Sequence, residues 1–193
     1  ELVSQRFVME LSGLTGGDSS SVGRVVIETR PAWAPIGAAH FLELVQHGYY
    51  DQCRFFRVLP NFVAQFGIAA DPQSPLKTKF KQALQDDPVV QSNTYGTLTY
   101  ATSGKNTRRM QLFVNVNKKG NAYLDKEGFA PFAEVIEGME YIEQINKEYR
   151  QKPSQGKIQN RGNEYLNQEF PDMSYIVTLR QDTQQHSTTG EDA

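Results

Sequence analysis

One stretch of this chain limits its fold and chemistry more than any other: Phe55-Phe56-Arg57-Val58-Leu59-Pro60-Asn61-Phe62-Val63-Ala64-Gln65. Two apolar runs with strand-like alternation flank a Pro-Asn turn, and Arg57 and Gln65 lie an even number of residues apart. Because successive strand side chains point to opposite faces, both are expected to reach one cleft, with Arg57 on the face of Phe55 and Leu59. Arg57 cannot lose its proton, so any chemistry there must use it as a fixed donor or electrostatic clamp.

The size and charge of the chain exclude several classes of protein. Its 193 residues fit one domain, predicted over 1–180, and the polar residues 181–193 are expected to form a disordered tail. The chain has 20 Lys and Arg against 22 Asp and Glu, so it has no net positive charge that would attract nucleic acid. No nucleic-acid partner is therefore predicted. We interpret Arg108-Arg109 and Lys118-Lys119 as solvated loop charges. No apolar run approaches the ~18 residues of a membrane span.

The potential metal ligands are few and poorly spaced. Cys53 is the only cysteine, which excludes an intrachain disulfide and a Cys-based zinc site, and we interpret it as a small apolar strand residue. His40 and His47 share a helix face with Glu43, but two turns, ~10 Å, separate the imidazoles, so we interpret them as surface residues. Neither a metal nor a cofactor is expected. The first residue is Glu1, which suggests a removed upstream segment; the compartment stays open between a secretory, periplasmic or organelle-lumen location and the cytoplasm.

Hydrophobic periodicity predicts a mainly β fold. The predicted strands are 6–11, 23–29, 54–59, 62–68, 96–101, 111–116, 132–136 and 175–179. Helical spacing predicts helices over 36–47 and 139–149, while 71–91 is a long irregular excursion and 150–168 is polar with no assigned element. Many short strands with a helix near each end predict an eight-stranded antiparallel barrel, closed and capped by two α-helices. Closure would remove exposed strand edges.

Several motifs along the chain resemble those of the cyclophilin family of peptidyl-prolyl isomerases. Beside the 55–65 stretch, they are Gly96-Thr97-Leu98-Thr99-Tyr100-Ala101, Asn106-Thr107, Gln111-Leu112-Phe113, Leu124-Asp125 and Phe132-Ala133-Glu134-Val135-Ile136-Glu137-Gly138-Met139. They occur in the family's order and cover about residues 6 to 148. Further segments resemble a bacterial-type branch: Gln65-Phe66-Gly67-Ile68, Asp86-Asp87-Pro88, Gly128-Phe129-Ala130-Pro131-Phe132 and Gly156-Lys157-Ile158-Gln159. The resemblance implies a cyclophilin-like barrel with two capping helices.

The resemblance also implies the residues of the active site. Arg57 would be the catalytic residue. The substrate-binding residues would be Phe62, Val63, Phe113 and Leu124 in a proline pocket, Gln65 and Gln111 with the backbone around Ala101 and Thr102 along the substrate chain, and Tyr123 and Phe129. These residue types suit the chemistry, because the proline nitrogen becomes pyramidal in the twisted transition state and can then accept a hydrogen bond.

Five positions depart from the family's common pattern. Phe56 and Phe129 stand at or near positions where many members carry His, and Tyr123 stands where many carry Trp. A phenol places its donor elsewhere than an indole, so binding of the cyclic peptide cyclosporin is expected to be weak at most. Arg109 and Met110 replace small residues beside a second, more distal pocket, and we expect them to narrow or gate it.

The resemblance therefore predicts a cofactor-free prolyl cis-trans isomerase. Its partners would be exposed X-Pro bonds in peptides and unfolded client proteins, and a monomer is expected. One alternative is a proline-recognising binding or chaperone module with little turnover; another is a structural domain with a vestigial site. From the residues alone, Arg57 could instead be a buried structural arginine paired to a carboxylate. The pair Asp86-Asp87 is interpreted as turn-forming rather than as an acid/base pair.

Overall fold

The computed structural model describes residues 3–17 and 21–183. Its strands are β1 Arg6–Ser12, β2 Gly23–Thr29, β3 Arg57–Leu59, β4 Val63–Phe66, β5 Thr97–Tyr100, β6 Leu112–Asn115, β7 Ala133–Glu137 and β8 Tyr175–Gln181. Its helices are α1 Pro35–Gln46, α2 Pro75–Lys79, α3 Tyr123–Lys126, α4 Met139–Ile142 and α5 Gln155–Glu169. In these two ranges no helix has both the length and the apolar character needed to cross a membrane. Most of the predicted polar tail, 184–193, lies outside the described residues, and β8 continues through Gln181.

All eight strands belong to one antiparallel sheet, in the order β3-β4-β6-β5-β7-β2-β1-β8. The mainly β prediction is confirmed, but the prediction of a closed barrel with two helices is wrong. The sheet curls into a half-barrel whose end strands, β3 and β8, do not form a continuous ladder. The reason lies at β3, where the Val58 N–H donates to the Arg150 carbonyl at 2.9 Å. The segment before α5 therefore occupies part of the edge that closure would require.

The chain reaches β3 by crossing from the opposite end of the sheet. Arg54 forms an isolated bridge with Tyr175, and the Phe55 N–H donates to the Ser174 carbonyl at 3.0 Å. Only from Arg57 does the chain pair with β4, so the predicted strand over 54–59 is half its expected length. Because of this crossing, Phe55 points into the main core at 1% exposure, and the prediction that it shares a face with Arg57 is wrong.

The buried face of helix α1 packs into the main core, and a buried ion pair fixes the start of the helix. The carboxylate of Asp87 accepts hydrogen bonds from the N–H groups of Ile36 (3.0 Å) and Gly37 (2.9 Å), at the beginning of α1. It also accepts from Nη1 of Arg108 at 3.1 Å. Arg108 and Asp87 are each 3% exposed, so the prediction that Arg108 is a solvated loop charge is wrong. Asp87, which lies in a loop far along the chain, therefore caps the start of α1.

The second long helix lies in a polar segment for which no element was predicted. The predicted helix over 139–149 is reduced to the four residues of α4, and α5 occupies the polar 150–168 segment. Ile158, Tyr165 and Leu166 are the large apolar residues of α5 that are buried. They pack against Phe56, Ile68 and Met173 in a cluster separate from the main core. This packing buries Phe56 at 2% exposure, where an imidazole would have been desolvated.

A glycine allows α5 to approach the body of the protein closely. Gly162 has φ of 57°, which interrupts the helical backbone, and a Cβ there would overlap the Ala70 carbonyl. The same carbonyl accepts the Asn163 N–H at 2.9 Å. A left-handed φ and close contact with backbone both favour glycine, so α5 is in effect two helical pieces docked through Gly162.

Cys53 is expected to be chemically inert in the native protein. It has 0% exposure in the connection between α1 and β3, not in a strand as predicted, and its thiol donates to the Ile68 carbonyl at 3.2 Å. Burial raises the pKa of Cys53 to about 12. Because the thiolate is the reactive form, iodoacetamide at pH ~8 should label the protein only after denaturation, as measured by intact mass. Rapid stoichiometric labelling of the native protein would contradict this burial.

Candidate active site

Four adjacent strands bring the predicted site residues into one row. In the register of the sheet, Arg57 on β3 pairs with Gln65 on β4, Gln65 pairs with Phe113 on β6, and Phe113 pairs with Thr99 on β5. Residues directly opposite one another in antiparallel strands have their side chains on the same face. Nη1 of Arg57 accordingly donates to Oε1 of Gln65 at 3.1 Å, which confirms that these two side chains reach one cleft.

An apolar pocket opens beside Arg57. Its volume is about 170 Å³, and its lining residues are Arg57, Phe62, Val63, Gln65, Ala101, Thr102, Phe113, Leu124, Phe129 and Gln155. Phe113 forms its floor at 4% exposure, and the Phe129 ring meets it edge-on at a centroid distance of 5.8 Å. The guanidinium carbon of Arg57 lies 5.7 Å from the centroid of the Phe62 ring. The pocket is therefore an aromatic cavity with one cation at its rim.

The guanidinium of Arg57 is held by amides and not by a carboxylate. Nη1 is bound to Gln65, and Nε donates to Oε1 of Gln151 at 3.5 Å. Within the described ranges, no carboxylate oxygen comes within 4.0 Å of Arg57 nitrogens, and Nη2 has no protein acceptor. Within the described ranges, Arg57 is therefore not a structural arginine paired to a buried carboxylate. Arg57 also lines the apolar pocket, so its guanidinium borders a ligand-sized cavity.

A second, wider pocket adjoins the first. Its volume is about 400 Å³, and its lining residues are Gln65, Gly67, Ala101, Thr102, Ser103, Thr107, Arg109, Met110, Gln111, Gln155 and Gln159. Because Arg109 and Met110 line this pocket, we call it the distal pocket. Nε of Arg109 donates to the Lys81 carbonyl at 2.8 Å, which ties this wall to the 71–91 excursion.

Helix α1 supports the wall of the distal pocket through a histidine. Nε2 of His40 lies 2.8 Å from the Arg109 carbonyl, and the imidazole meets the Phe80 ring edge-on. Burial lowers the pKa of His40, so the neutral ring that donates to the carbonyl is the form this environment favours. Of the two histidines predicted to be surface residues, His47 is exposed, whereas His40 is half-buried and held by the contacts described above.

A buried network of asparagines supports the rim of the apolar pocket from below. Nδ2 of Asn121 donates to the Phe62 carbonyl at 3.0 Å, and Nδ2 of Asn93 donates to the Phe129 carbonyl at 3.0 Å. Asn115 joins them, because its Oδ1 accepts from Asn121 at 2.8 Å and its Nδ2 donates to Asn93 at 3.1 Å. These asparagines are 0–1% exposed, and no sequence motif predicted their role.

Asp125 links this network to α3 and should make stability depend on pH. Burial alone would raise its pKa, but hydrogen bonds from Ser92 (2.5 Å) and Asn93 (2.7 and 2.9 Å) hold the pKa of Asp125 below its ordinary value. Its contribution to stability is thus complete above the unfolded pKa of ~3.9 and is lost as pH falls through the lower native pKa. The free energy of unfolding of Asp125→Asn should therefore change less with pH below about 4 than that of the wild type. Parallel curves would contradict this assignment.

The structure gathers most, but not all, of the predicted site residues. Arg57, Phe62, Val63, Gln65, Ala101, Thr102, Phe113, Leu124 and Phe129 line the apolar pocket, and Gln111 lines the distal one. Tyr123 lines neither: it is 56% exposed and stacks on Phe62 at a centroid distance of 6.1 Å, outside the pocket rim. Among the described residues, no group of three His, Cys, Asp or Glu could hold a metal ion.

Sequence analysis missed the contribution of α5 to this site. Gln155 lines both pockets, Gln159 lines the distal one, and Gln151 contacts Arg57 just before the helix begins. Their spacing of four residues is the signal that could have revealed a polar helical face. The segment has few apolar residues, so this face was not assigned to any element.

Comparisons with known proteins agree with the geometry. A family model described as cyclophilin type peptidyl-prolyl cis-trans isomerase/CLD matches residues 16–163. A peptidyl-prolyl cis-trans isomerase of Acinetobacter baylyi is 33% identical over 135 residues, covering 65% of this chain and 68% of its own. Peptidyl-prolyl cis-trans isomerase A of Dickeya dadantii is 30% identical over 140 residues, covering 67% of this chain and 69% of its own.

A solved structure extends the likeness to the fold. A cyclophilin-type peptidyl-prolyl cis-trans isomerase of Cryptosporidium parvum superposes with a TM-score of 0.60 at 19% sequence identity. The match covers 95% of this chain and 100% of that chain, so it extends over nearly the whole chain. At this identity the likeness concerns the architecture alone.

Proposed function

Because the chain belongs to the cyclophilin-type peptidyl-prolyl cis-trans isomerases, we propose that Arg57 is the catalytic residue of this protein and that the apolar pocket beside it receives proline. The reaction is rotation about X-Pro peptide bonds. The observation that carries the proposal is that Arg57, whose Nη2 has no protein acceptor within the described ranges, lines an aromatic cavity of about 170 Å³.

The isomerase reaction is accelerated by a hydrogen-bond donor close to the proline nitrogen. Amide resonance opposes rotation about the X-Pro bond with a barrier of ~18–20 kcal/mol. As the bond twists, the proline nitrogen loses conjugation, becomes pyramidal and regains a lone pair. A donor aimed at that nitrogen stabilises the transition state more than the planar ground state, which is the condition for catalysis. A guanidinium carries N–H donors and no acceptor, so the Arg57 side chain is suited to supply this donor.

The reduction in activation free energy that catalysis requires is modest. Raising a rate of ~0.01 per second to a typical turnover of ~10 per second requires about 4 kcal/mol. A hydrogen bond to a charged group contributes roughly 1.5–3 kcal/mol. The remainder is assigned to positioning and to exclusion of water by the buried floor, Phe113 and Val63. No covalent bond forms or breaks, so the reaction needs no cofactor.

The two pockets suggest how a peptide lies in the groove. Proline would enter the apolar pocket, while Gln65 and Gln111, with the backbone around Ala101 and Thr102, would hold the preceding residues. The distal pocket then faces a side chain on the amino-terminal side of proline. An open groove of this kind fits X-Pro bonds in unfolded or flexible client chains, and we propose that the protein acts on them as a monomer.

Cyclosporin is proposed to bind weakly at most. Tyr123 stands where many relatives carry Trp, and its phenol lies on the outer side of Phe62. Its hydroxyl therefore cannot replace an indole N–H at the pocket rim.

Peptide mapping by NMR tests where proline binds. We expect an Ala-Pro peptide to shift backbone amide signals of Phe62, Ala101 and Phe113, and a matched Ala-Ala peptide to leave them unchanged at the same concentration. The control matters because only the proline ring fills the apolar pocket. Equal shifts with both peptides, or shifts confined to the far side of the sheet, would refute the assignment of this pocket.

A further inference from the structure

A line of side-chain amides runs from the guanidinium of Arg57 to α5. Nη1 of Arg57 donates to Oε1 of Gln65 at 3.1 Å, and Nε2 of Gln65 donates to Oε1 of Gln111 at 3.0 Å. Nε2 of Gln111 then donates to Oε1 of Gln155, the first residue of α5, at 3.4 Å. Gln65 and Gln111 each accept with the oxygen and donate with the nitrogen, and Gln155 accepts with its oxygen at the end of the line.

The direction of this line follows from the chemistry of its first member. A guanidinium has donors only, so Gln65 must turn its oxygen to Arg57 and its nitrogen to Gln111. Gln111 must then present its oxygen to Gln65 and its nitrogen to Gln155. The Gln111 amide nitrogen keeps its hydrogen bond at this end of the line only if the side chain at position 155 is an acceptor. A donor or an apolar side chain there would leave the Gln111 amide free to rotate.

Helix α5 holds Gln155 in a fixed place. Ser154 caps the helix by accepting the Lys157 N–H at 3.3 Å, and the Ser154 N–H donates to the Tyr165 hydroxyl at 3.1 Å. Nζ of Lys77 donates to the Gln159 carbonyl at 2.8 Å, one turn further along α5. Buried Ile158 and Tyr165 anchor the helix from below. The acceptor is thus presented by an anchored element and not by a free loop.

The segment before α5 holds the other side of the guanidinium. Oε1 of Gln151 accepts from Nε of Arg57 at 3.5 Å. Together with Gln65, it uses two of the five Arg57 N–H donors, and Nη2 has no protein acceptor within the described ranges. The 151–155 region therefore contributes acceptors at both ends of the Arg57 network.

We propose that Gln155 is a positioning residue for the isomerase reaction: its carbonyl oxygen orients the Gln111 and Gln65 amides and thereby the guanidinium of Arg57. The proposal rests on the assignment of Arg57 as the catalytic residue. It adds that α5, which carries no catalytic group of its own, forms the last member of the catalytic hydrogen-bond line.

Kinetics of three Gln155 variants test the proposal. Because one neutral hydrogen bond at the end of the line is lost, Gln155→Leu should lower kcat about three- to fivefold, while KM for an Ala-Pro peptide changes less than about twofold. Gln155→Glu keeps an acceptor and should restore turnover to within about twofold of wild type. Gln155→Lys replaces the acceptor by a donor and should behave like Gln155→Leu.

A matched control separates positioning from a general effect on α5. Gln168 lies exposed on the same helix and accepts from Arg161 at 2.7 Å, away from both pockets. Gln168→Ala should keep wild-type kcat and KM. Wild-type kcat in Gln155→Leu, or equal loss in Gln155→Leu and Gln155→Glu, would overturn the proposal.

An NMR readout that needs no turnover distinguishes this proposal from the proposed function. The side-chain N–H signals of Gln65 and Gln111 and the Nε–H signal of Arg57 should shift in Gln155→Leu and remain near wild-type positions in Gln155→Glu. Unchanged signals in Gln155→Leu would refute the positioning role even if Arg57 is catalytic. Shifted signals in an enzyme whose Arg57→Ala variant stays fully active would support the hydrogen-bond line and refute the catalytic assignment.

Discussion

Replacing Arg57 with alanine is expected to lower kcat/KM for an Ala-Pro peptide by about 10- to 100-fold, because a charge-assisted hydrogen bond worth roughly 1.5–3 kcal/mol is lost in the transition state. Arg57 is half-buried and has no carboxylate partner within the described ranges, so its removal strands no charge. The melting temperature should therefore stay near that of wild type. The protease-coupled cleavage of a proline peptide measures the first quantity, and circular dichroism measures the second.

Arg57→Lys provides the conservative control for this variant. Lysine keeps the charge but cannot bind Gln65 and Gln151 with a planar fork while presenting a third donor to the groove. We expect turnover between those of wild type and Arg57→Ala. Full activity in Arg57→Lys would mean that charge alone suffices, whereas full activity in a folded Arg57→Ala protein would remove Arg57 from the mechanism.

Replacing Asp87 with alanine should cause the largest loss of stability of any substitution considered. The carboxylate neutralises the buried Arg108 and accepts the first two N–H groups of α1. Its removal leaves a guanidinium at 3% exposure without its nearest carboxylate, and breaking a buried pair in this way costs about 3–5 kcal/mol. The uncapped start of α1 adds about 1 kcal/mol. The free energy of unfolding, measured with urea, checks this loss.

The neighbouring carboxylate offers the matched control. Asp86 is more exposed, lies 3.7 Å from Nε of Arg108 and accepts the Asn106 N–H at 2.8 Å. Asp86→Ala should therefore lose only about 1 kcal/mol. Similar losses for Asp86→Ala and Asp87→Ala would contradict the central role of the buried pair.

Local periodicity predicted the part of the site that lies on adjacent strands. Arg57 and Gln65 are eight residues apart across a tight turn, so alternation and turn length bring them face to face. Phe113 and Leu124 were predicted as site residues from the resemblance to cyclophilins, because the turn between Arg57 and Gln65 does not place residues so far along the chain. Tyr123 lies outside both pockets, because sequence position within the short helix α3 does not give the direction of its side chain, and its contact with substrate stays a prediction.

The rest depends on contacts between distant parts of the chain. Arg108 and Asp87 are 21 residues apart, and neither carries a local sign that the other is its partner. Helix α5 has too few apolar residues to reveal its buried side, and Gly162 interrupts its periodicity. The incomplete closure at β3 goes with the hydrogen bond between Val58 and Arg150, which no pattern in either segment indicates. Tertiary context decided each of these features.

The most direct test of the account is NMR exchange spectroscopy on an Ala-Pro peptide at saturating concentration, with wild type and Arg57→Ala compared at equal occupancy. Saturation isolates the chemical step, because peptide affinity then no longer affects the rate. The account predicts rapid cis-trans exchange with wild type, and exchange slowed by about 10- to 100-fold with Arg57→Ala although the peptide still binds. Equal exchange rates in the two saturated proteins would contradict the claim that Arg57 stabilises the transition state.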